Sequence, residues 1–274
     1  MTHKSSQKMK FSIPKALDRK ELIVFDLDGT LALSKSAMDA EMVALFSRLL
    51  AERKVAVIGG GKYSLFQMQL LYALRCPKDL CRKLFLFPTT STSFYRYDGG
   101  WKNVYTLKLS KSERARIKKT FPEVFKEAGY VHTKKVYGKV IEDRGTQVTF
   151  SALGQDVVAV LGKRGVHLKD EWKRRNTKTK IKMAKMLAKR LPDLEVRAAG
   201  HTSIDITRKG IDKAYGLKQI EKHLHVPIKK MLFVGDALFP GGNDYAAKRT
   251  GVTCVAVRGP EDTKKLIRRI ISAG

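Results

Sequence analysis

The chain has 274 residues, 43 % of them hydrophobic, enough for one large domain or two modest ones. Its 55 Lys and Arg stand against 26 Asp and Glu, a net charge of +29, and no run of 18 apolar residues offers a membrane-spanning helix. Cys76, Cys81 and Cys254 form no CxxC pair, which argues against a cysteine zinc site and predicts free thiols in a reducing cytoplasm.

In chain order, residues 1–20 (MTHKSSQKMKFSIPKALDRK) read as a basic tail, without the apolar stretch of a signal peptide. LIVFD (22–26) predicts a buried strand, AMDAEMVALFSRLLAER a helix, and KVAVIGGG (54–61) a strand ending in glycines. YSLFQMQLLYAL is helical in spacing and KLFLF (83–87) is a further strand. Short apolar strands separated by helices imply parallel βαβ units with helices on both sheet faces.

The pattern then changes. FYRYDGGWKNVY predicts a hairpin turning at Asp98-Gly99-Gly100. A helix (111–127), strands at 136–143 and 146–153, a basic helix (170–190) and the strand LEVRAA (194–199) follow. In TQVTFSAL, Val148, Phe150 and Ala152 alternate with Gln147, Thr149 and Ser151, so one face packs and the other meets solvent or ligand. After SIDIT (203–207) the βα rhythm returns, with a helix after Asp212, strand KMLFVG, a helix after Gly242, strand VTCVAV and a terminal helix opened by GPEDT. The expected fold is α/β: a doubly wound, mostly parallel core sheet over 1–105 and 207–274, with an α+β cap inserted at 106–206.

Two clusters carry chemistry. In VFDLDGTLA, Asp26 and Asp28 are two apart at a strand's carboxyl end, on one side and about 7 Å apart. Ligands of open parallel sheets gather there. GDALFPGGND repeats the layout, with Asp236 at the end of an apolar strand and Asn243 and Asp244 beyond a glycine turn. Asn243 and Asp244 could serve as helix caps, but Asp236 lies eight residues upstream of Asp244. One oxygen-ligand site for Mg²⁺ accounts for the gathered carboxylates.

DLDGT together with GDALFPGGND resembles the haloacid dehalogenase superfamily, and GDxxxPGGND in particular its phosphomannomutase branch and the related type IIB sugar-phosphate hydrolases. IEDRGTQVTFSALGQ (141–155) is similar to the branch's cap segment, and TSIDITRKGIDKAYGL (202–217) to the segment returning to the core. The resemblance implies that Asp26 is the nucleophile, forming an aspartyl-phosphate, and Asp28 the general acid and base. Lys213 would neutralise the phosphoryl group and orient Asp26. Asp26, the carbonyl of Asp28 and Asp236 would hold Mg²⁺, supported by Asn243 and Asp244. Arg144, Ser203 and Asp205 match cap positions that grip the substrate. A homodimer joined through the cap is compatible with it.

Two departures qualify that picture. The superfamily's Ser or Thr at the end of the second strand is replaced by Gly59, Gly60 and Gly61, whose N–H groups could cradle phosphate instead. Gln155 stands where phosphomannomutases carry a second cap arginine, with Lys163 or Arg164 as candidate substitutes. Losing a cap anion site harms a mutase, which must hold a bisphosphorylated intermediate, more than a hydrolase. The expected function is therefore hydrolysis of a small phosphorylated metabolite, most naturally a sugar phosphate, ahead of phosphomannomutase isomerisation. A nucleic-acid-end phosphatase would draw on the +29 charge. The cations, however, are scattered along helices without aromatic interleaving, the pattern of solvated faces. A non-catalytic binding protein would not need Asp26 and Asp28.

Overall fold

A computed structural model describes residues 19–272, so most of the basic tail expected over 1–20 lies outside the described residues. Strands β1 (Leu22–Asp26), β2 (Lys54–Ile58) and β3 (Leu84–Phe87) are apolar runs buried almost throughout. Such strands suit a sheet covered on both faces. β4 (Ser93–Tyr97) and β5 (Trp101–Thr106) form the expected hairpin and continue the same sheet, β4 antiparallel to β3 and β5 antiparallel to β4. β6 (Ile141–Asp143), β7 (Val148–Ser151), β8 (Leu194–Ala199) and β9 (Ser203–Arg208) make a second, wholly antiparallel sheet in the order β6-β7-β9-β8. β10 (Met231–Gly235) and β11 (Thr253–Ala256) return to the first sheet, whose order is β11-β10-β1-β2-β3-β4-β5.

Alternation along the parallel strands divides the core in two. Ile23, Phe25, Val55, Val57, Leu232 and Val234 face the helices Ala40–Glu52 and Pro260–Ile271. Leu22, Val24, Ala56, Ile58 and Phe233 face the helix Lys213–Leu224 through Leu217 and Ile220. The core is thus a doubly wound α/β sheet, as the chain's rhythm predicts. Beside it the second sheet packs Val148, Phe150 and Ala152 against the helices Lys111–Ala128 and Lys163–Arg190, an α+β cap. No described helix is long and apolar enough to cross a membrane, and all three cysteines are free thiols.

Several local expectations differ from the structure. The strand expected over 136–143 shrinks to Ile141–Asp143, because Tyr137 bonds the loop through Leu153 O (2.9 Å) and Asp156 N (2.8 Å) rather than a neighbouring strand. The basic helix begins at Lys163 instead of 170, its early turns packing through Val166 near Val157 and Val158. The helix expected after Gly242 is a 3₁₀ stretch, Tyr245–Thr250, rather than an α-helix, and the Asp244 side chain accepts from Ala237 N (3.1 Å) instead of capping it. The polar face of β7 does not meet bulk solvent. Gln147, Thr149 and Ser151 are buried, and Gln147 reaches the core domain.

Candidate active site

β1 and β10 are adjacent and parallel, so their carboxyl ends bring Asp26 and Asp236 together where strand order reverses about β1. Lys213 is the first residue of the helix Lys213–Leu224, whose amino end is capped by the Asp212 side chain on Tyr215 N at 2.9 Å. That start aims Lys213 Nζ at Asp26 Oδ1 (2.5 Å) and at the carbonyl of Ile58 (2.6 Å), with Asp244 Oδ1 at 3.4 Å. Burial lowers the lysine's proton affinity, but the carboxylates of Asp26 and Asp244 outweigh it, and Lys213 titrates above its ordinary value. Burial likewise raises the Asp26 pKa well above the carboxylate range, against the pull of Lys213 and aided by Asp244 and Asp236. Asp236 is pushed to about 7, chiefly by burial and then by Asp244.

Carboxylate oxygens of Asp26, Asp236 and Asp244 all lie within 4.8 Å of one another. Three buried or half-buried carboxylates share one ammonium, and Asp244 Oδ1, 3.4 Å from that ammonium, is buried without a well-formed hydrogen bond. Surplus negative charge and an orphaned oxygen fit a divalent cation with oxygen ligands. Gly29 has φ +86, and a Cβ there would lie 2.7 Å from Asp236 Oδ2, so only glycine permits this approach. Asn243 is half-buried on the loop before Asp244.

Asp28 stands apart from that triad. Its Oδ1 accepts from Lys35 N (2.6 Å) and Gln69 Nε2 (3.0 Å). Of the glycines expected to cradle phosphate, Gly59 spends its N–H on Phe87 O (3.2 Å) inside the sheet, whereas no such bond holds the N–H of Gly60 or Gly61 among the described residues. The cradle is two amides, not three. Thr30 adds a fully buried hydroxyl with no partner close by.

The cap closes on the same point. Arg144 donates to Gly60 O (2.6 Å), Glu142 Oε2 (2.8 Å) and Gln155 Oε1 (3.0 Å), and Gln147 Nε2 also reaches Gly60 O (3.2 Å). Asp205 is buried, accepts from Thr149 Oγ1 (2.8 Å), and would lie 3.2 Å from any Cβ at Gly60; burial raises its pKa. Ser203, half-buried, pairs with Ser151 in the cap sheet, two residues before Asp205.

Lys35 Nζ crosses to Gln155, donating to its backbone carbonyl and to Oε1 (2.9 Å). Lys169, also buried, donates to Ser34 Oγ (2.5 Å). Burial lowers the pKa of both ammonium groups, that of Lys35 to about 8 with help from Lys169 and Arg144. The cations that reach Gln155, Lys35 and Arg144, therefore differ from the expected pair. Lys163 lines a cleft of about 530 Å³ with Lys35 and Val166, and Arg164 is exposed. Sequence reading missed Lys35, Lys169 and Gln69, which carry no motif and meet their partners only through the fold.

The family model for eukaryotic phosphomannomutase matches residues 42–273. A phosphomannomutase of Encephalitozoon cuniculi is 25 % identical over 257 residues, covering 92 % of this chain and 94 % of the relative. One of Drosophila melanogaster is 26 % identical over 261 residues, covering 93 % and 98 %. Among solved structures, an N-terminally truncated IMP-nucleotidase of Plasmodium falciparum superposes with a TM-score of 0.69 at 18 % identity, over 94 % of this chain and 72 % of that one. A haloacid dehalogenase-like hydrolase of Bacteroides thetaiotaomicron gives 0.58 at 16 % identity, over 92 % and 99 %. These structures share the fold.

Proposed function

Because this chain belongs to the eukaryotic phosphomannomutase family and is a phosphoryl-transfer enzyme of the haloacid dehalogenase type, we propose that it hydrolyses a small sugar phosphate with Mg²⁺ bound by Asp26, Asp236 and Asp244. Asp26 attacks phosphorus, and the sugar oxygen leaves with a proton from Asp28. Water then attacks the aspartyl-phosphate, giving its proton to Asp28 and releasing phosphate and free Asp26. Lys213 holds Asp26 oriented and offsets phosphoryl charge; Gly60 and Gly61 N–H can bind phosphoryl oxygens. When bound, Mg²⁺ screens the two anions that must meet.

The observation carrying hydrolysis over isomerisation is the state of Arg144. Its guanidinium is engaged by Glu142, Gly60 and Gln155, and Gln155 offers no charge of its own. Arg144 is therefore not a free guanidinium for the second phosphate of a bisphosphorylated intermediate. Isomerisation of hexose phosphates is the second reading, favoured by the family match and by half-buried Lys35 and buried Lys169, ammonium groups with no carboxylate within ion-pair distance among the described residues.

³¹P NMR of mannose 1-phosphate with enzyme, Mg²⁺ and a trace of hexose bisphosphate separates them. Inorganic phosphate is the expected product; conversion to the 6-phosphate would establish a mutase. No reaction, with Asp26-dependent cleavage of an aryl phosphate, would keep the chemistry and discard the hexose.

A further inference from the structure

Asp28 must hold a proton in one half of the proposed cycle and accept one in the other. Such a group needs a fixed direction, yet Asp28 sits in a turn just beyond the end of β1. Its placement comes from elsewhere. Gln69 is fully buried in the middle of a π-helical turn, Gln67–Leu71, set between helical residues Tyr63–Phe66 and Tyr72–Leu74. Such turns occur mostly as single-turn bulges within α-helices and are frequent at functional sites.

Both amide hydrogens of Gln69 are used, one on Asp28 Oδ1 (3.0 Å) and one on Ser36 O (3.0 Å). A backbone carbonyl can only accept, so Ser36 fixes the amide with its nitrogen toward Asp28. Gln69 O also accepts from Met38 N (2.9 Å). The result is a clamp on the 35–38 segment, whose Lys35 N is the second donor to Asp28 Oδ1 (2.6 Å). The other oxygen of Gln69, Oε1, is buried with no partner, a penalty that packing alone does not explain.

We propose that Gln69 is the positioning residue for Asp28, pinning Oδ1 so that Oδ2 alone exchanges protons with the substrate oxygen and with water. With two donors on Oδ1, the acid form carries its proton on Oδ2, which gives it to the leaving oxygen. Oδ2 then takes a proton from the water that attacks phosphorus as the bond to Asp26 breaks. The inference rests on the acid–base reading of Asp28.

The test uses the full chain with Mg²⁺ and p-nitrophenyl phosphate, whose leaving group needs little protonation. Loss of positioning should then slow water attack more than phosphorylation of Asp26. Gln69→Leu, normalised to folded protein, should lower kcat about 10–100-fold, part of the ~10²–10⁴ that acid–base help supplies. KM should fall with it, and acid-quenched phosphoenzyme should rise. In an Asp28→Asn background the same change should cost less than twofold, since Gln69 acts through Asp28. Gln69→Met, unbranched and of similar length, serves the same comparison if the leucine variant does not fold.

A kcat within twofold of wild type with no gain in phosphoenzyme would overturn the proposal. So would an equal loss in the Asp28→Asn background, which would mark Gln69 as structural. If Asp28→Asn itself keeps wild-type turnover, the acid–base reading fails and the proposal falls with it. Those results are distinguishable from failure of Gln69 alone, in which Asp28→Asn is impaired and Gln69→Leu is not.

Discussion

Asp26 and Asp28 lie two residues apart but occupy different chemical settings. Asp26 faces Lys213, Asp236 and Asp244, while Asp28 faces two neutral donors. Replacing each should therefore fail differently. Asp26→Asn is expected to abolish phosphoenzyme formation and reduce turnover by ~10³-fold or more. Asp28→Asn should lower turnover by ~10²–10⁴ while still allowing Asp26 to be phosphorylated by an aryl phosphate, read by acid quench with labelled substrate. An Asp28→Asn enzyme that cannot be phosphorylated would contradict that division. The aspartates were legible in the sequence because strand end, spacing and glycine are all local. Gln69 and Lys169 were not: their partners lie 41 and 135 residues away, and a glutamine or lysine in a helical run announces nothing by itself.

At the level of elements, the parallel strands and their helices could be read because burial on two faces leaves long apolar runs. Failures fell where contacts replaced periodicity, as at residues 137–139, where Tyr137 and Lys139 bond the loop 153–156. The helix Lys163–Arg190 shows what pattern alone hides. Its Lys180 is buried and donates to Gly200 O (2.6 Å), with Ala199 O and His201 O at 3.3 Å, tying the helix to the β8–β9 turn. Burial, then Lys173, lowers its pKa to about 8. The unfolded chain keeps an ordinary lysine, so between about pH 8 and 10 it binds more protons than the folded one and stability rises with pH. The rise attributable to Lys180 should be on the order of 3 kcal/mol. Urea unfolding of wild type and Lys180→Met across that range checks it: the difference between them should shift with pH, and parallel curves would refute the assignment.

Two expectations belong to the whole molecule. A cation bound only by the folded triad stabilises the chain by mass action, about 2.7 kcal/mol at a hundred times its Kd. Thermal unfolding with and without Mg²⁺ should show this gain, and Asp244→Asn should remove most of it. A net charge of +29 also repels itself, so raising the ionic strength from low to physiological should raise Tm. A Tm that falls with salt would mean that specific ion pairs outweigh the repulsion.

The closed cap has a consequence for timing. Asp26 is only 4 % exposed, and Arg144 and Gln147 on Gly60, Lys35 on Gln155 and Lys169 on Ser34 all bridge core and cap. On the proposed mechanism, reactant would enter and phosphate would leave only while those bridges are parted, so each cycle would contain an opening step that no improvement in bond-breaking can shorten. The dwell time of the shut state then caps throughput. Loosening a bridge away from phosphorus, at Ser34 for example, would quicken release while giving water earlier access to the aspartyl-phosphate. Retention and hydrolysis would then be set, on the proposed mechanism, by the same latch.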